Sequence, residues 1–191
     1  MNNSHYIDRL HDKLEAVLPY YAEHIWKDIG KAETVYAMKT QDHLRTPPAR
    51  CEMSVITPGT VWGGEYDNIW LSCDVTVPAC AAGAVLGAIP EAEAVETLCF
   101  KDGVPAGIIN SKNQFLGGMH SAMFALKDAV PGTALRLDFE CYAWHRCLGT
   151  QPYTSYEEDE TAPGDFNKTY HGIRIVMLDQ VINDFVFDLA T

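Results

Sequence analysis

The stretch Thr133-Ala-Leu-Arg-Leu-Asp-Phe-Glu-Cys-Tyr-Ala143 decides how this chain is read. Leu135, Leu137, Phe139, Cys141 and Ala143 fall on every second position. A strand sends alternate side chains to opposite faces, so this run predicts a strand with one buried face. Pro131-Gly132 precedes it as a turn signal. Working back along the chain, similar short runs follow one another at 68–77, 84–89, 94–100, 106–110 and 121–126, and a further one lies at 171–178. Asp102-Gly103 marks a tight turn between two of them. Several strands with no helical pattern between them predict a mostly β protein, an antiparallel sandwich or barrel.

The flanks differ. Ser4 is a candidate N-cap, and Ile7, Leu10, Leu14, Val17 and Leu18 form one helical stripe. Pro19 interrupts it, and a second short helix is expected from there to Gly30, with Ile25, Trp26 and Ile29 as its apolar side. The expected division is therefore a helical segment over 1–34 and a β-sandwich over 35–191. Residues 149–168, which include Glu157, Glu158, Asp159 and Glu160, read as a long surface loop. From Asp179 an apolar pattern resumes and reaches Leu189 without a stop signal, so the domain is expected to belong to a longer polypeptide.

The chain has 191 residues, 14 Lys+Arg against 26 Asp+Glu, and a formal charge of −12. At 47% hydrophobic and 21% charged it has globular composition, not that of a disordered chain. The charge is uneven. Residues 1–50 are neutral, 51–100 carry seven acids and no base, and 151–191 carry eight acids against two bases. An acidic chain without a basic stripe is a poor nucleic-acid binder. No apolar run reaches the ~18–20 residues of a membrane span, so no membrane partner is expected either.

Cys51, Cys73, Cys80, Cys99, Cys141 and Cys147 contain no C-x-x-C pair. Cys141 and His145 look like metal ligands, but along a strand they lie about 13 Å apart, too far for one ion. Buried thiols in a reducing cytoplasm are the expected state. The seven histidines show no H-x-D or H-E-x-x-H spacing, and nucleophile elbows and phosphate loops are absent. No catalytic residue and no metal ligand is therefore assigned. What remains is an aromatic and glycine pattern. Trp62-Gly-Gly-Glu-Tyr66 comes first, then Trp70-Leu71, and later Glu140-Cys-Tyr-Ala-Trp-His145. Trp and Tyr on a sandwich can stack on sugar faces, and Trp62 and Trp70 can equally be core or corner residues.

Taken in order, Trp62–Gly64, Trp70-Leu71, Val77-Pro78, Asp102–Gly107, His120 and Glu140–His145 resemble the N-terminal non-catalytic domain of family 38 glycoside hydrolases, the zinc-dependent α-mannosidases. Leu178-Asp179 and Phe187–Leu189 resemble the lead-in to that family's catalytic module, and Trp144 stands where the family more often has glycine. The resemblance implies a jelly-roll-like, galactose-binding-domain-like sandwich, inactive on its own. Its partners would be the catalytic module of the same chain and a mannose-containing oligosaccharide. It needs no cofactor here, the zinc belonging to the absent module. The residues it marks for sugar or interdomain contact are Trp62, Tyr66, Asp102, His120, Trp144 and His145. The alternative is a stand-alone carbohydrate-binding module of another glycoside hydrolase such as a β-galactosidase.

Overall fold

The computed structural model describes residues 3–80, 83–110, 123–145 and 166–190. Helix α1 (Asn3–Ala22) leads into β1 (Trp26–Lys31) and β2 (Val35–Thr40). A 3-10 turn at Arg50–Glu52 precedes β3 (Ser54–Ile56) and β4 (Thr60–Trp62). Then follow β5 (Asn68–Thr76), β6 (Leu86–Glu91), β7 (Glu96–Lys101), β8 (Val104–Asn110), β9 (Phe124–Ala125) and β10 (Ala134–Tyr142). After β11 (Lys168–Tyr170) and β12 (Gly172–Leu178), α2 (Gln180–Ala190) ends the described chain.

Every described ladder is antiparallel. A six-stranded sheet runs β3-β2-β5-β10-β7-β8, a four-stranded sheet runs β1-β12-β6-β9, and β11-β4 form a short ribbon. This is the antiparallel sandwich that the alternating runs predict. Leu135, Leu137, Phe139, Cys141 and Ala143 all point into one core. They meet Leu86, Ala88, Ile173 and Ile175 of the facing sheet. Phe124 and Phe139 meet edge-on at 6.3 Å between the sheets. Each large side chain removed from water here contributes about 1.5–3 kcal/mol before entropy is counted.

The helical front is shorter than expected. Helix α1 passes through Pro19 without a break, and Trp26–Lys31, expected as a second helix, is a strand paired to β12. Ile25 and Ile29 are four residues apart, a spacing that satisfies a period of 3.6 and a period of 2 alike. Pairing with β12 decides between them. The C-terminal apolar pattern is a helix, capped by Asp179, whose Oδ1 accepts from the Ile182 N–H at 3.1 Å. Helix α2 lies against α1, with the Tyr21 and Phe185 rings 5.0 Å apart and edge-on. Among the described residues, no helix is long and apolar enough to cross a membrane.

Candidate functional site

Because β5 and β10 are central, their second face is also available to build with. On it the registers set Asn68, Tyr142 and Glu96 side by side in one row. Trp70, Glu140 and Leu98 form the next row. The segment between β2 and β3 folds over part of this face. It contributes Leu44 and Met53 to a second small core with Trp70, Phe100, Tyr36 and Met38. Arg50 pins that segment down. Its guanidinium lies over the Tyr36 ring at 5.5 Å, donates to Ser72 Oγ at 3.1 Å, and pairs with Asp74 at 2.7 Å. Where the cover stops, a cavity of about 470 Å³ opens at the Asn68 end of the sheet.

Among the described residues, the rings of Tyr66, Tyr142 and His145 wall this cavity. The Trp62-Gly-Gly-Glu-Tyr66 turn supplies the first. Gly63 has φ +98°, and a Cβ there would lie 2.2 Å from the Phe166 carbonyl oxygen, so only glycine fits. Asp67, 3% exposed, fixes the turn from below: it pairs with Lys39 and accepts from Gln41 Nε2 at 3.0 Å. The Tyr66 N–H then donates to the Trp144 carbonyl at 3.0 Å, joining the turn to the end of β10. Tyr66 and His145 stack at 5.1 Å with ring planes 11° apart. Trp144 stacks on His145 at 5.4 Å, and the Tyr142 hydroxyl is hydrogen bonded to His145 Nδ1. Trp144 has φ +127°, a region that favours glycine.

The floor is polar. Asn68 is 2% exposed, yet its Nδ2 has no hydrogen-bond partner, and Glu140 Oε1 is likewise buried and unpaired. Burial pushes the Glu140 carboxyl above the usual glutamate range, and nearby His43 partly offsets this. Glu96 and His43 add further titratable groups, and among the described residues neither lysine nor arginine lines the cavity. Leu98 and Ile108 give it an apolar side.

The sequence-marked residues separate cleanly. Tyr66, Trp144 and His145 come together as the stacked wall. Trp62 does not join them. It is 4% exposed, with its Nε1 donating to the Ala92 carbonyl at 3.1 Å, and it has no face to offer a ligand. Asp102 is also elsewhere. Its Oδ1 ties the β7–β8 turn to β10 by accepting from the Arg136 N–H at 3.0 Å, whereas the cavity lies at the Glu96 end of β7, about 20 Å away. His120, Cys147 and the 157–160 acid run lie outside the described residues. His43, Asn68, Glu96, Glu140 and Tyr142 join the site without having stood out individually in the sequence. The alternation of β10 does place Glu140 and Tyr142 together on its second face.

Among the described residues, no group of three His, Cys, Asp or Glu side chains is placed to hold a metal ion. The buried thiols are not nucleophiles: burial raises Cys73 and Cys141 to about 12, and Cys99 upward as well.

No protein-family model matches the chain, and no curated protein matches it. Among solved structures it is similar to the Faecalibacterium prausnitzii Beta-glucuronidase, at 11% identity and a TM-score of 0.43. The match covers 82% of this chain and 32% of that one, so the chain spans about a third of that protein's length.

Proposed function

We propose that this chain is a non-catalytic accessory β-sandwich of a cytoplasmic glycoside hydrolase of the zinc-dependent α-mannosidase type, and that it holds a mannose-containing oligosaccharide. The stacked wall of the cavity carries this reading. Tyr66 is 52% exposed and is backed by His145 and Trp144, so a flat ring is held open to solvent. A sugar ring has an apolar face that packs on such a surface and a hydroxyl edge that needs polar partners. The cavity supplies both, and its volume lies within the ~300–1,000 Å³ of small-molecule sites. The ordered motifs support the parentage: Trp62–Gly64 shapes the turn that presents Tyr66, and Glu140, Tyr142 and His145 of the later motif line the same cavity. Zinc and the hydrolytic residues would belong to a catalytic module of the same polypeptide.

Calorimetric titration with α-linked mannobiose tests the reading. Binding that is lost in Tyr66→Ala, together with no release from an aryl α-mannoside with or without added zinc, is the expected result. Zinc-dependent turnover by the pure chain, or no heat with any mannoside, would overturn it. The carbohydrate-binding module of a β-galactosidase-type hydrolase is the competing reading, and preference for galactosides over mannosides in the same titration would favour it.

A further inference from the structure

We infer that the polar floor of this cavity selects neutral or amino-bearing sugar rings and rejects anionic ones, Asn68 and Glu140 clasping a sugar hydroxyl between them. This deepens the sugar-binding reading above and rests on it.

The first argument is one of unmet hydrogen bonds. Of the groups that line the cavity, Asn68 Nδ2 is a donor, Glu140 Oε1 is an acceptor, and both are buried and unpaired. Asn68 lies one row from Glu140 on the same face. Folded proteins pair nearly all such groups, so two orphans of opposite kind in adjacent rows signal a missing partner. A single group that donates and accepts at once satisfies a neighbouring donor and acceptor together, and a hydroxyl is such a group. A metal ion would answer the carboxylate and leave the donor unmet.

The second argument is charge. Among the described residues, the lining carboxylates are Glu96 and Glu140, and neither lysine nor arginine lines the cavity. Lys39, on the strand beneath the Tyr66 turn, is engaged by Asp67 and the Gly63 carbonyl. A uronate or sugar phosphate would therefore bring a further negative charge beside two carboxylates, and like charges in a partly dry site repel strongly. An amino sugar would bring the opposite charge to the same place. A neutral hexose meets neither penalty nor bonus.

The test compares methyl α-mannoside, mannosamine and mannuronate on the full chain at neutral pH, read by calorimetry. The mannoside and mannosamine are expected to bind, and mannuronate to bind at least about tenfold more weakly than the mannoside. Glu96→Gln, at an exposed strand end where folding is not at stake, should shrink that gap, and Glu140→Gln should shrink it further. Asn68→Ala should weaken all three sugars alike. Mannuronate binding as tightly as the mannoside would overturn this inference and leave the sugar-binding reading intact. Absence of binding by all three overturns both.

Discussion

Replacing Glu140 by glutamine should make the empty protein more stable at neutral pH, although it removes a residue of the proposed site. Glu140 holds a carboxylate whose Oε1 is buried without a partner. A buried acceptor left unmet costs roughly 1–3 kcal/mol, and more when charged. Glutamine keeps the carbonyl oxygen but not the charge, so only part of that penalty is relieved, about 1 kcal/mol. In a chain of this length such a gain raises Tm by about 2–4 °C. The pH dependence identifies the cause. Burial holds the folded carboxyl above its ordinary value of 4.5. As pH rises, the unfolded chain therefore releases its proton first and binds fewer protons across the window between the two values. Stability contributed at this residue consequently falls as pH rises through that window. Wild type should lose ground to Glu140→Gln from about pH 4 upward, because the variant has no proton there to release. Calorimetric melts of both proteins across pH 4–8 provide the measurement. A variant less stable than wild type at pH 7, or a Tm gap identical at pH 4 and pH 7, would refute the reasoning.

Two further substitutions test the wall. Trp144→Gly and Trp144→Ala both delete the indole but differ at a backbone held at φ +127°, so the glycine variant should be the more stable by about 1 kcal/mol in chemical denaturation. Ala more stable than Gly would show that the strain is absent. Gly63→Ala places a methyl 2.2 Å from the Phe166 carbonyl and should cost at least about 2 kcal/mol while displacing Tyr66. An unchanged Tm together with unchanged mannoside binding would contradict the close approach.

How far the sequence reaches is visible residue by residue. The 133–143 run is legible because its in-facing positions are all apolar, and Asp102-Gly103 and Pro131-Gly132 announce turns in which Asp102, Gly103 and Gly132 do take positive φ. Trp26–Lys31 is misread because its apolar spacing fits two periods. Strands β3 and β4 are three residues each, too short for periodicity to register. At the site, aromatic clustering marks Tyr66, Trp144 and His145. It marks Trp62 equally, because nothing local says that Gly63 turns the chain between a core ring and an exposed one. Asn68 and Glu140 escape notice for a different reason. Polar residues on the second face of a strand ordinarily meet water, and what dries this face is the segment between Thr40 and Ser54, brought over it by Arg50.

The pairing of β1 with β12 has a consequence for how the chain is made. The ion pair between Asp28 and Arg174 joins residues 146 apart. Closing a loop of that length costs about 4 kcal/mol of chain entropy. At roughly 5–20 residues per second on the ribosome, β1 waits some 7–30 s for its partner to be translated. During that interval a nascent strand with open edges is a template for wrong pairing. Lys27, Asp28 and Lys31 place charge at three of its six positions, so the strand that waits longest for its partner carries charges that discourage pairing with a stranger.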